Sequence, residues 1–251
     1  MVTLGFGPAR AQLNKSDTVF FQLRTSLTGN LQRGNVDAFA LRSKVDFSLA
    51  PTRAVVFKSQ NSGLYQVFYS VKADNDLFSR NYLYYQPHRR AYPFAIGYGS
   101  TNYRRKIDFR YFTGAGVTVR LWNRQLDGLK VSVGAVYENT RFAVTSYNDG
   151  RYNGSQTIAL WRATSWLGGW HSLDNHLRLY YDAFWQPAFS RASNYRWQAD
   201  VGLDLLVWRG LAFNAFYTYA HENVVVTKVR PNDQMLTFGF SYNWRRNYPA
   251  R

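Results

Sequence analysis

Residues 235–245 read MLTFGFSYNWR. Leu236, Phe238, Phe240, Tyr242 and Trp244 take every second position, and Thr237, Gly239, Ser241 and Asn243 sit between them. Successive side chains on a strand point to opposite faces, so the segment has one large apolar face and one small polar face. A soluble sandwich buries the apolar face and wets the other. A transmembrane barrel turns the apolar face to lipid and the polar one inward. The segment fits both, so the choice falls to the rest of the chain.

The same alternation recurs from residue 18 onward. Strands are expected at 18–32, 37–49, 54–69, 76–86, 93–104, 110–122, 129–142, 156–167, 175–187, 194–208, 211–226 and 233–244. The cleanest is 194–208, where Tyr195, Trp197, Ala199, Val201, Leu203, Leu205 and Val207 oppose Arg196, Gln198, Asp200, Gly202 and Asp204. The segment 76–86 is ambiguous about its faces, 156–167 is mixed, and Gly63 is a candidate bulge in the third strand. Each strand is longer than the soluble mode of about 5–6 residues and close to the about 9–11 that cross a bilayer at a tilt. Short turns such as Arg209-Gly210 alternate with longer polar connections such as 143–155, the asymmetry of inner turns and outer loops. The tight connection at Gly34-Asn35 breaks that rule.

Composition narrows the function classes. The 251 residues contain no cysteine, which excludes disulfide frameworks, thiolate metal sites and cysteine nucleophiles. There is no run of about 18 apolar residues, so no membrane helix is expected, but alternating strands escape that test. Mean hydropathy is −0.39. Ala9-Arg10-Ala11 resembles the small-residue end of a secretory signal. Only eight residues precede it, so residues 1–17 are read either as a lead-in or as the remnant of such a signal. Residues 18–245 are read as one barrel domain, and 246–251 as a tail.

Three features favour lipid on the apolar side. That side is nearly free of charge on the clean strands. The opposite side is rich in small residues, including Gly114, Gly116, Gly134, Gly202 and Gly239, which weaken a wetted strand but make room inside a closed barrel. Aromatics such as Trp122, Trp185, Trp208, Tyr242 and Trp244 gather near strand ends, where a membrane interface would hold them. An open sheet of this size would also leave two long edges, and closure removes both. The expected fold is therefore all-β: a closed antiparallel up-and-down transmembrane barrel of about twelve strands.

Residues 26–50 (SLTGNLQRGNVDAFALRSKVDFSLA), 110–122 (RYFTGAGVTVRLW) and the closing FGFSYNW carry a resemblance. They resemble segments of an outer-membrane β-barrel family, a domain-of-unknown-function family, that includes salt-induced outer-membrane proteins. The likeness spans nearly the whole chain and implies a bacterial outer-membrane location. It implies no catalytic residues. The tail RRNYPAR after the last aromatic departs from barrels that end there.

The positive charge needs an owner: 31 Lys and Arg face 15 acidic residues, for a formal +16. On the inward faces lie Arg42, Lys44, Arg120, Lys130, Arg178 and Arg196, with Asp46, Glu138, Asp182, Asp200 and Asp204 as expected ion-pair partners. A surplus of fixed cations in a watery lumen attracts small anions. Cations assigned to loops and turns (Arg89, Arg90, Arg104, Arg105, Lys106, Arg151, Arg245 and Arg246) would meet lipid head groups or lipopolysaccharide phosphates. A lumen of this size is either plugged by crossing Arg, Tyr and acidic side chains or leaves a narrow channel. The four histidines lack metal-ligand spacing, no G-x-S-x-G occurs, and the basic residues form no nucleic-acid stripe. The expectation is a monomeric, cofactor-free, non-enzymatic barrel: a narrow anion-preferring pore or an envelope-maintenance protein. The alternatives are a membrane-embedded lipid-acting enzyme and a soluble sandwich that binds an acidic ligand.

Overall fold

Alternation sustained over 11 to 17 residues per segment becomes twelve antiparallel strands. They are β1 (Phe21–Gln32), β2 (Ala38–Leu49), β3 (Val55–Phe68), β4 (Val71–Tyr85), β5 (Ala91–Asn102), β6 (Ile107–Asn123), β7 (Asp127–Phe142), β8 (Thr157–Ser172), β9 (Leu177–Pro187), β10 (Tyr195–Trp208), β11 (Leu211–Glu222) and β12 (Asn232–Arg246). This computed structural model describes residues 19–32, 37–69, 71–124 and 126–246. Each strand pairs with its neighbour in sequence, and β1 closes on β12 from Phe21↔Arg246 to Gly29↔Phe238. Closure leaves no strand unpaired at the side of the sheet, so the ladder hydrogen bonds of each strand form without water. Residues 1–18, the Gly34-Asn35 connection and the end of the tail lie outside the described residues.

The outer wall is apolar and exposed. Leu27, Val45, Leu77, Val117, Val133, Val201, Leu203, Leu205, Phe238 and Phe240 all point away from the lumen with large accessible areas. A soluble protein does not tolerate so extensive an apolar surface, and a hydrocarbon solvent requires it. Trp122, Trp208, Tyr242 and Trp244 ring the end that carries the chain termini; Phe68, Phe109, Trp161 and Trp185 ring the other. The terminal end is called inner here, and the end with the long connections outer. At the inner end Arg209 and Gly210 both have positive φ (26° and 91°), which lets two residues reverse the chain between β10 and β11.

The inside departs from expectation in one respect. The lumen face is not polar throughout. Tyr84, Tyr92, Phe94, Ile96, Phe112, Val136 and Trp166 are buried there as an internal apolar core, flanked by Tyr82, Tyr98 and Phe184. This explains why β4 and β8 looked ambiguous or mixed: both of their faces carry large apolar residues. Gly63 is not a bulge; it pairs regularly with Ser43 and Leu77, and the irregularity falls at Gln66/Val67. Strand β4 begins at Val71, well before residue 76, and β11 ends at Glu222 rather than at 226.

The residues beyond Glu222 have another task. The 143–156 and 223–231 connections meet through a Tyr147↔Val226 bridge. Thr227 donates its N–H to the Ser146 carbonyl at 2.9 Å, and Asn148 donates to the Asn223 carbonyl at 2.8 Å. Asn194 reaches Tyr152 Oη at 2.8 Å, and Arg191 lies 3.5 Å from Asp149, so the 188–194 connection joins as well. Ile107, Phe142, Tyr147, Ile158, Leu160, Ala188 and Val226 pack beneath. Three outer loops thus form a cap with its own small core.

Candidate functional site

The lumen contains every buried charge cluster described for this chain, arranged in layers. Nearest the inner end, Arg24 on β1 reaches past β12 and β11 to Asp204 on β10 at 2.9 and 3.0 Å. Its guanidinium also donates to Tyr180 Oη at 3.0 Å. Asn214 donates to the same carboxylate at 2.7 Å and to Tyr180 at 2.9 Å. Tyr180 fits because position 202 is glycine: its ring fills the space that a Cβ there would need. Small residues on one wall accept long side chains from another.

At mid-height Arg80 on β4 meets Asp182 on β9 at 3.2 Å and donates to Gln60 at 2.9 Å. The aromatic core surrounds this pair. Tyr82 stacks on Tyr84 at 5.5 Å, Tyr98 on Phe112 at 4.4 Å, and Trp166 lies edge-on to Phe94 at 6.0 Å. Above this layer is an outer vestibule of about 200 Å³; below it is an inner crevice of about 40 Å³. Arg80 lines the first, Asp182 lines the second, and Trp166 lines both. Crossing side chains therefore divide the lumen.

The outermost layer is an arginine–carboxylate network under the cap. Glu138, only 2% exposed, is approached by Arg196 at 2.5 Å, Arg162 at 3.3 Å and Arg110 at 3.9 Å. Arg110 also makes a two-pronged contact with Glu222 at 2.6 and 2.9 Å. Arg105 bonds Asp233 at 2.9 Å, and Arg104 is ion-paired with Asp74 at 2.5 Å. Ionised groups this far from water persist only because opposite charge and hydrogen bonds replace hydration.

The six basic residues expected in the lumen fall in two groups. Arg42, Lys44 and Arg196 border the outer vestibule. Arg120, Lys130 and Arg178 sit toward the inner end: Arg120 donates to the Pro87 carbonyl, Lys130 lies 5.7 Å from the Tyr84 ring, and Arg178 is 3.5 Å from Ser172 Oγ. Among the acids, Glu138, Asp182 and Asp204 join ion pairs. Asp46 stands opposite Arg24 in the ladder, and Asp200 accepts from Gln198 at 3.0 Å. Arg104 and Arg105 are corrected from lipid-facing loop cations to lumen residues, because their side chains turn inward to Asp74 and Asp233. Arg245 and Arg246 lie within β12 rather than in a loop.

Arg80, Arg110 and Arg162 were not singled out from the sequence. A signal existed for Arg110, which shares parity with Gly114 and Gly116. For Arg80 and Arg162 it was masked by the aromatics on the same face. His171 pairs with Tyr181 at 3.1 Å and His221 with Asn232 at 2.6 Å, and no group of three or more metal-ligating side chains occurs among the described residues.

Seven basic side chains and four carboxylates line the vestibule. Five of the cations have carboxylates within 4 Å. Arg42 and Lys44 differ. Arg42 Nη2 lies 3.0 Å from the Met235 thioether, and its buried Nε has no partner. Lys44 Nζ lies 3.1 Å from the centre of the Phe216 ring.

The model of a family described as "Protein of unknown function, DUF481" matches residues 25–244. No curated protein matches the chain by sequence. Among solved structures, the NanC porin superposes with a TM-score of 0.50 at 10% identity, covering 88% of this chain and 98% of that one. An outer membrane channel of the COG4313 group from Pseudomonas putida F1 gives 0.46 at 10% identity, over 94% and 97% of the two chains. The translocator domain of the autotransporter NalP from Neisseria meningitidis gives 0.44 at 13% identity, over 88% and 86%. The NanC likeness is one of fold: this chain has the architecture of bacterial outer-membrane barrels.

Proposed function

This chain belongs to the DUF481 family and closes into an outer-membrane barrel, and from that premise we propose that it is a narrow passive pore with a preference for small anions. The observation that carries the reading is the pair Arg42 and Lys44, two lumen cations held beside a sulfur and a ring. Fixed positive charge in a confined aqueous vestibule with low-dielectric walls concentrates anions and repels cations. The Arg80–Asp182 layer is the constriction, so conductance is small. The barrel itself acts without catalysis. At the outer end, exposed Lys106 and Arg151 face the polar zone of the membrane, where lipopolysaccharide phosphates are their natural counterions.

Planar-bilayer recording on the purified chain tests this. The expected result is small steps whose reversal potential in a KCl gradient favours chloride. Cation-selective steps overturn the preference. A silent bilayer together with lipid hydrolysis by the same preparation favours a membrane-embedded enzyme instead.

A further inference from the structure

The vestibule is unevenly satisfied, and the imbalance has a chemical signature. A thioether is a weak acceptor, so the Arg42 guanidinium beside Met235 lacks the oxygen partner it would normally hold. Lys44, held over an aromatic face, would gain from a carboxylate, since a charge-assisted hydrogen bond exceeds a cation–π contact. Two further donors on the same cavity, Arg196 Nη1 and Trp166 Nε1, are buried without partners; their residues are 5% and 6% exposed. One acceptor is in the same condition: Asp200 Oδ1 is buried and unbonded. Asp200 lines the same cavity as Arg42 and Lys44.

A bare anion would satisfy the donors and leave Asp200 facing a second negative charge. A neutral sugar would satisfy Asp200 and leave the cations unmatched. A molecule with one carboxylate and nearby hydroxyls satisfies both. We propose that the outer vestibule is a binding site for a small hydroxylated carboxylic acid, its carboxylate between Arg42 and Lys44 and a hydroxyl donated to Oδ1 of Asp200. The volume, about 200 Å³, is below the roughly 300–1,000 Å³ of drug-sized pockets and limits the occupant to about six carbons. Phe78, Tyr98, Phe112 and Phe216 supply apolar faces for its carbon chain. The inference rests on the pore reading for its biological sense, but its test does not.

The test is calorimetric titration of the whole barrel in detergent micelles with four probes: gluconate, hexanoate, glucose and 6-aminohexanoate. Gluconate is expected to bind at least tenfold more tightly than each of the others. Arg42→Gln and Lys44→Gln each weaken gluconate at least tenfold. Asp200→Ala weakens gluconate and strengthens hexanoate, because it removes both the hydroxyl acceptor and the repulsive charge. Lys58→Gln, at the inner crevice, leaves gluconate binding unchanged. Heat-modifiable gel migration establishes that each variant is folded. Equal affinity for hexanoate and gluconate overturns the site, as does tighter binding of 6-aminohexanoate or an Asp200→Ala variant that binds gluconate like the parent. Anion-selective conductance without gluconate binding overturns the site alone; gluconate binding by a barrel that never conducts overturns the pore alone.

Discussion

Arg80 and Asp182 stand on β4 and β9, five strands apart around a wall of twelve, and meet at 3.2 Å inside it. A contact between such opposed strands can form only across the lumen. Vestibule and crevice lie on its two sides, so in the proposed pore this pair is the constriction. Asp182→Ala should raise single-channel conductance severalfold while leaving Arg80 bonded to Gln60. Unchanged conductance would show that the aromatic layer, not the ion pair, is limiting.

Val201 and Leu203 lie on the exposed face of β10. Arginine at either position would cost about 2–4 kcal/mol if that face meets mid-bilayer hydrocarbon. Urea titration of refolding into lipid vesicles measures it; a loss under about half a kcal/mol would mean that this strand is oriented otherwise.

Glu138 is shared by three arginines in a nearly dry setting. Glu138→Gln leaves those charges without their central counterion, and a loss of about 3–5 kcal/mol is expected in the same assay. The exposed Asp108–Arg141 pair is the control: Asp108→Asn should change stability by less than about 1 kcal/mol.

Gly202→Leu should displace the Tyr180 ring and break its bonds to Arg24 and Asn214. A cost above about 1 kcal/mol is expected from overpacking. In the Tyr180→Ala background the same change should cost far less, which a double-mutant cycle reads directly.

Asp174 lies in the turn between β8 and β9, outside the spanning strands, and accepts backbone N–H bonds from His176 and Leu177 at 2.6 Å each. Those bonds hold its carboxyl below the usual aspartate range. A depressed folded value means that the stabilisation is complete above the unfolded value of about 3.9 and is lost as pH falls through the lower folded value. The His176 and Leu177 amide resonances should therefore titrate with a midpoint below about 3.9, and Asp174→Ala should abolish the titration.

Parity was legible wherever one face was cleanly apolar. In β10 and β12 a reader of the sequence can place nearly every side chain, and Asp204 and Arg196 fall on the inward face without further information. Parity failed on β4 and β8, where Tyr82, Tyr84 and Trp166 make the inward face as apolar as the outward one. It failed again at the outer loops, since Arg104 and Arg105 follow a strand end and nothing local says which way they turn.

The sequence by itself determined the strands, their number and the separation of an oily face from a charged one, because a period of two is a local property. It also determined that the lumen would be rich in cations. Only the tertiary structure decided which charges meet. Arg24 finds Asp204, Arg80 finds Asp182, and Arg42 finds the Met235 thioether, because partners far apart in the chain are brought together by the stagger and closure of the wall.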